Sequence, residues 1–168
     1  MVSKEELRKM RIFEDLPESM LEKIAAEAQL QIFSADTVLF RQNERLKYFY
    51  MILNGQVSLE VDLSTQSSIT LGTVSPGYCF GVSSFIPRGT SSATAITRDV
   101  CELVCLTGER MSALFQEDGQ LGYHVMLRVV RAFKFRMEQR TMLFLKTMEH
   151  HPELQSVFKD LDHLTPRF

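Results

Sequence analysis

From residue 30 to residue 106 the chain is cut into short apolar and β-branched runs, at 30–33, 37–41, 48–53, 57–62, 68–74, 92–98 and 100–106, each closed by turn residues. Runs this short are strands rather than helices, and such strands hide their apolar faces by pairing into a barrel or sandwich. Asn54-Gly55 joins two of the runs as a tight turn, because glycine accepts a positive φ without a Cβ clash. The stretch from 69 to 95 departs from this rhythm. Its first extended run ends at Ser75, Pro76-Gly77 turns the chain, Phe80-Gly81 opens a segment too brief for a long helix, and a second extended run follows Gly89. A short helical segment held between two strands has the form of a ligand cradle.

Helical signals flank the strands. Ser3-Lys4-Glu5-Glu6 carries the Ser-x-x-Glu pattern of a capping box, followed by Leu7, Met10 and Ile12. Ser19 and Glu22 repeat the pattern before the stripe Leu21, Ile24, Ala25 and Ala28. Thr107 is placed to cap a helix from Gly108 to about Gln116, and Asp118 to cap the next. From Leu121 to about Met148 no proline interrupts a stretch of high helix propensity, which gives one helix of about 28 residues and about 40 Å. Along it Tyr123, Met126, Val130, Phe133, Met137, Arg140, Phe144 and Thr147 alternate three- and four-residue steps, the seam of a two-helix coiled coil that Arg140 and Thr147 weaken towards its end. The same spacing is open to a second reading, an amphipathic helix folded over its own barrel.

Composition narrows the function classes. A chain of 168 residues with 45% apolar and 24% charged residues suits one globular domain. Its formal charge of −2 gives no field that draws a polyanion, so direct DNA or RNA binding is not expected. The sequence shows neither the apolar core of a secretion signal at Met1-Val2-Ser3-Lys4-Glu5-Glu6 nor an apolar run of membrane-spanning length, and the expected location is cytoplasmic. Cys79, Cys101 and Cys105 lack paired CxxC spacing and read as reduced thiols; Cys101 and Cys105 share one strand face, about 13 Å apart, beyond disulfide reach. His124 has no second ligand near it in sequence, and no metal site is expected. There is no Ser/His/Asp set, P-loop, HExxH or carboxylate pair at a motif spacing, so the chain is read as a non-enzyme.

The order strand, Pro76-Gly77, Phe80-Gly81, short helix, loop and small-residue strand Ser91-Ser92-Ala93-Thr94-Ala95 resembles the phosphate-binding cassette of cyclic nucleotide-binding domains, as in the catabolite activator protein and kinase regulatory subunits. Tyr48 to Val57 resembles the central hairpin of that family, and Phe13-Glu14-Asp15-Leu16-Pro17 the turn before its barrel. The resemblance implies an α+β, mainly β fold: an eight-stranded antiparallel β-roll of jelly-roll type, with N-terminal helices and a long C-terminal helix that dimerises and covers the ligand pocket. On that frame residues 1–148 form the domain, with the barrel at about 30–106 and the long helix at about 121–148, and 149–168 is a short tail without room for a helix-turn-helix. In the family a Glu after Phe-Gly holds the ribose hydroxyl, and an Arg nine residues later pairs with the cyclic phosphate. Here those positions hold Val82 and Ser91. A further departure lies upstream, where a Gly-rich turn is replaced by Gln42-Asn43-Glu44-Arg45.

The candidate ligand residues are Gly81, Val82, Ser83, Ser84, Arg88, Ser91, Ser92 and Arg131. The N–H groups of Ser83 and Ser84 are expected to face an anion. Arg88 is the nearest cation to the missing arginine, with a solvated loop side chain as its other reading. Arg128 and Arg131 lie where the family's last helix contacts the base, and they also read as part of a solvated basic face with Lys134, Arg136 and Arg140. Ser83, Ser84, Thr90, Ser91, Ser92 and Thr94 offer a neutral hydrogen-bonding set for a less charged ligand. The function expected is a regulatory ligand-sensing module with weak or lost binding of cAMP or cGMP, no cofactor assigned beyond these low-affinity nucleotides, and a small-molecule or nucleotide effector. It is expected to be a homodimer through Tyr123, Met126, Val130, Phe133, Met137 and Phe144, with output through a separate protein. The other reading is a dimeric interaction scaffold with a vestigial pocket, using the last helix and the tail around Phe158 and Leu161.

Overall fold

The computed structural model describes residues 2–64 and 67–151. They divide into two compact units, Met1–Met126 and Leu127–Phe168. In the first unit eight antiparallel strands, β1 Gln29–Phe33, β2 Val38–Phe40, β3 Tyr48–Asn54, β4 Val57–Ser64, β5 Ser67–Val74, β6 Cys79–Phe80, β7 Thr94–Thr97 and β8 Cys101–Thr107, form two sheets ordered β1-β8-β3-β6 and β2-β7-β4-β5. Apart from the β4–β5 hairpin, neighbours in each sheet are non-consecutive strands, the crossed order of a jelly roll. Each expected run becomes a strand. The eighth is β6, two residues long and too short to show a period, paired to β3 at Tyr50↔Phe80 and Met51↔Cys79.

Alternation along the strands sets two faces. Tyr50 and Ile52 of β3 and Cys101, Leu103 and Cys105 of β8 point into the roll, where they pack with Val57, Val74, Phe80 and Ala95. Both cysteines thus lie on the same inward face, as their spacing implies. Burial pushes the Cys105 thiol up to about 12 and raises that of Cys101, so neither is a nucleophile at neutral pH. The opposite face of the same strands carries Phe49, Met51, Val104 and Leu106, all fully buried.

Four helices complete the described chain: α1 Lys4–Arg8, α2 Glu18–Glu27, α3 Gly108–Glu117 and α4 Gly119–His150. Ser3 forms the expected capping box, with Glu6 N–H donating to its hydroxyl at 3.2 Å and Ser3 N–H donating to the Glu6 carboxylate at 2.7 Å. Those bonds hold the Glu6 carboxyl below its ordinary range. The second expected box does not form. Helix α2 starts one residue before Ser19, its N-cap is Pro17 without a side-chain cap, and Glu22 instead accepts Lys4 Nζ at 2.8 Å. Thr107 caps α3 through Arg110 N–H at 3.3 Å, and Asp118 caps α4 through Leu121 N–H at 3.1 Å while pairing with Lys23 at 2.6 Å. Helix α4 runs 32 residues, slightly beyond both expected ends. The tail expected to lack a helix-turn-helix lies outside the described residues from 152 onward.

The 3₁₀ helix Val82–Phe85 is tied to its surroundings by an aromatic chain and by a glycine. The Phe85 ring meets Phe49 of β3 edge-on at 5.4 Å and Phe115 of α3 at 5.8 Å. Phe115 in turn packs against Gly122 in the first turn of α4, where an added Cβ would lie 3.1 Å from it. Gly108 opens α3 so close to this segment that a Cβ would fall 1.9 Å from the Ser84 carbonyl oxygen.

The turn between β2 and β3 holds residues 41–44. Asn43 takes the left-handed conformation with φ +67°, which Asn tolerates better than most residues. Ser91 then locks this turn. The single proton of its hydroxyl is shared between the carbonyls of Arg41 at 2.9 Å and Ala93 at 2.5 Å, its N–H donates to Glu44 O at 2.8 Å, and its carbonyl accepts Asn43 N–H at 2.8 Å. The Thr94 hydroxyl adds a bond from Gln42 N–H at 3.0 Å.

Gly108→Ala is expected to cost about 2–3 kcal/mol in overpacking, outweighing the roughly 1 kcal/mol that alanine gains in a helix, and to lower Tm by more than about 3 °C. Gly119→Ala, where a Cβ meets open space, serves as the neutral control in the same thermal melts. Ser91→Ala removes the hydroxyl that joins two loop carbonyls and is expected to cost about 1–2 kcal/mol, a Tm loss of about 2–6 °C. An unchanged Tm would show that the turn holds without it.

Candidate ligand-binding site

The cassette begins where β6 ends. Gly81 has φ +81°, and a Cβ there would lie 2.8 Å from the Tyr48 carbonyl oxygen, so only glycine lets the chain leave β6 at this angle. The Gly81 carbonyl accepts Ser84 N–H at 3.0 Å. Of the two N–H groups expected to face an anion, that of Ser84 is therefore engaged inside the turn. The N–H groups of Val82 and Ser83 open the 3₁₀ helix, where i→i+3 bonding gives them no acceptor within it.

The hydroxyls of the cassette divide by use. Those of Ser91 and Thr94 are committed to the 41–44 turn, and Ser91 is 4% exposed. Ser92 is exposed beside it. Ser84 Oγ is buried and has no hydrogen-bond partner among the described residues. Val82 is half-buried, and its side chain offers no hydrogen-bonding group.

Arg88 stands exposed at the loop tip between Pro87 and Gly89, with φ +60°. A left-handed conformation at a non-glycine residue costs on the order of 1 kcal/mol, and the loop holds it through Gly89 N–H donating to Ile86 O at 2.8 Å. Arg131 is exposed on α4 within the second unit. The first unit thus gathers Gly81, Val82, Ser83, Ser84, Arg88, Ser91 and Ser92 on one continuous segment.

Outside the roll the same segment borders a cleft of about 510 Å³. Ser83 to Gly89 form one wall, Gly108, Glu109, Ser112, Ala113 and Gln116 of α3 a second, and Arg45 and Leu46 a third. Arg45 and the α3 residues are absent from the sequence-derived candidates. The only signal for Arg45 was its place in the unusual 42–45 turn, and the α3 residues follow no motif at all.

Of the seam residues on α4, Tyr123 is 62%, Val130 58%, Phe133 51% and Met137 64% exposed, with Met126 and Phe144 also exposed. Phe135, Met142, Leu143 and Leu145 are exposed as well, so apolar surface on this helix extends beyond the seven-residue pattern. Among the described residues there is no group of three or more His, Cys, Asp or Glu side chains able to hold a metal, and no helix is long and apolar enough to cross a membrane.

Comparison with known proteins bears on this geometry directly. The family model of the cyclic nucleotide-binding domain matches residues 30–118, from β1 through α3. A candidate cyclic nucleotide-binding protein from Geobacter metallireducens is 28% identical in sequence, with a TM-score of 0.72 over 82% of this chain and 99% of that one. The catabolite activator protein of Thermus thermophilus is 22% identical, with a TM-score of 0.68 over 82% of this chain and 63% of its own. The regulatory domain of Toxoplasma gondii PKA, crystallised with cAMP, is 22% identical with a TM-score of 0.59 over 66% of this chain and 42% of its own. Curated protein sequences give no match. With the roll, the Phe80-Gly81 cassette and a family match over more than half its residues, the chain belongs to the cyclic nucleotide-binding domain family.

Proposed function

We propose that the chain is a regulatory sensing module whose cyclic nucleotide site has diverged, so that cAMP and cGMP bind weakly or not at all. The observation that carries this reading is Ser91. At the position matched to the phosphate-binding arginine stands a buried hydroxyl whose one proton is shared between the Arg41 carbonyl of the 41–44 turn and the Ala93 carbonyl. A cyclic nucleotide brings an anion into a partly apolar pocket, and removal of a partly buried arginine–phosphate contact costs about 2–5 kcal/mol, or roughly thirty- to several thousandfold in affinity. Two N–H donors at the start of a four-residue 3₁₀ helix do not replace it.

The route from such a site to an output is short. A ligand that shifts the 82–85 segment moves Phe85, which is held between Phe49 and Phe115, and Phe115 packs on the first turn of α4. A small effector with different affinity for two positions of that helix makes the module a switch. The chain is not catalytic in this reading, and its output passes through a separate protein.

The exposed apolar residues of α4 favour a second reading, a dimeric scaffold that pairs through Tyr123, Met126, Val130, Phe133, Met137 and Phe144 with the pocket idle. Both readings use the dimer; they differ in whether the cassette takes a ligand.

Thermal unfolding with about 1 mM cAMP, cGMP and other nucleotides separates them. A site with a Kd near 10 µM adds about 2.7 kcal/mol at that concentration, a Tm rise of roughly 5–10 °C. For cAMP and cGMP the expected rise is under about 1 °C. A rise of several degrees with either overturns the divergence of the site, and a selective rise with another nucleotide identifies the effector. For the dimer, replacement of Val130 and Phe133 by Glu is expected to give folded monomers in sedimentation velocity. A persistent dimer shows that α4 is not the seam.

A further inference from the structure

The cleft outside the roll is built, and its two arginines have no carboxylate partner among the described residues. Three backbone contacts hold its walls together: the isolated β-bridge Arg45↔Thr90, Gly108 N–H donating to Lys47 O at 3.0 Å, and the approach of Gly108 to the Ser84 carbonyl, which leaves no room for a Cβ. Gly89 is equally constrained, with a Cβ there falling 2.6 Å from the Ser83 carbonyl oxygen. The cavity therefore needs no rearrangement to exist, and about 510 Å³ lies within the size range of small-molecule sites.

Its lining is a mixed polar set with two cations. Arg8, Arg98 and Arg110 of the first unit are each paired with a carboxylate, and Arg11 lies over the Tyr78 ring. Arg45 and Arg88, on two different walls of the cleft, have no such partner among the described residues. The opposing α3 wall presents Ser112, Gln116 and Glu109, and Glu109 is likewise without an ion pair among the described residues. Ser84, whose buried hydroxyl lacks a hydrogen bond, also lines the cavity. Guanidinium groups recognise phosphate and carboxylate oxygens through paired N–H donors, while a carboxylate and an amide facing them accept from hydroxyls.

We infer that this cleft is a second ligand site, distinct from the cyclic nucleotide position inside the roll, for a small hydroxylated anion: a phosphate or carboxylate held by Arg45 and Arg88, with its hydroxyl groups on Glu109, Ser112 and Gln116. Arg45 and the α3 wall lie outside the cassette, whereas Arg88 and the Ser83–Gly89 wall belong to it. Occupation would join the 83–89 loop to α3 through the ligand.

The test is a titration of the ¹⁵N-labelled full chain with ribose 5-phosphate, gluconate and inorganic phosphate, at ionic strength held constant with sodium chloride. The expected result is that the amide resonances of Ser83, Ser84, Ser112 and Gln116 move together along one saturable curve with at least one probe. Saturation by ribose 5-phosphate alone assigns a phosphate ester, by gluconate alone a hydroxy acid, and by all three a general anion site. Arg45→Ser is expected to weaken the curve at least about tenfold, whereas Arg41→Ser, an exposed arginine outside the cleft, leaves it unchanged. Ala113→Trp, which fills the cleft from the α3 wall, is expected to abolish it with the dispersion of the remaining spectrum intact. No saturation with any probe, or a curve that survives Arg45→Ser and Ala113→Trp, overturns the proposal.

Discussion

The stacking of Phe80 on Tyr50, with ring centroids 5.0 Å apart and planes 10° from parallel, is the contact on which the rest of the first unit depends. Strand β6 is only two residues long, too few backbone bonds to hold itself against β3. The ring pair, extended by Phe40 at 6.0 Å from each, supplies the burial that the short ladder lacks. Once Phe80 is seated, Gly81 is brought under the Tyr48 carbonyl, the chain has to turn, and the 82–85 helix begins at a defined place. Phe85 then repeats the device on the outside of the sheet, where Phe49 and Phe115 receive it. Aromatic contacts thus position the cassette from both ends.

That frame is independent of the charges that ordinarily give it a ligand. Glycines and aromatic rings set the shape of the cassette, and in the reading proposed above this chain keeps them without the charged pair that supplies recognition. In that reading Ser91 stands at the position of the arginine, and its hydroxyl lies against the Arg41 carbonyl of the neighbouring turn and the Ala93 carbonyl of its own segment. With that hydroxyl engaged and Arg88 at an exposed loop tip, the cationic character of the segment points away from the place where the family motif puts it. Arg45 and Arg88, which have no carboxylate partner among the described residues, line the outer cleft.

The strands were legible because they are short apolar runs closed by turn residues; on β3 Tyr50 and Ile52 face one way and Phe49 and Met51 the other, and both faces are buried. The caps at Ser3, Thr107 and Asp118 were legible because each acts within one turn of chain. Ser19 misled because a proline two residues earlier set the helix start, a local competition that spacing alone does not resolve. The site was less legible than the fold. That Ser84 N–H is engaged by Gly81, or that Ser91 faces the 41–44 turn, follows from how β2, β7 and the cassette meet, contacts made across fifty residues of chain in the case of Ser91 and Arg41. The cleft was invisible for the same reason: its three walls come from residues 45–46, 83–89 and 108–116, and no short motif spans them.

The central claim is that the family fold is kept here while its phosphate recognition is not. Equilibrium dialysis of the chain against labelled cAMP tests this most directly, since it reads occupancy without any assumption about stability. The account predicts no saturation at concentrations up to about 100 µM, the range in which a retained arginine–phosphate contact would already fill the site. One nucleotide bound per chain with a Kd of a few micromolar would contradict it, and would mean that other groups on this chain do the work of the missing pair.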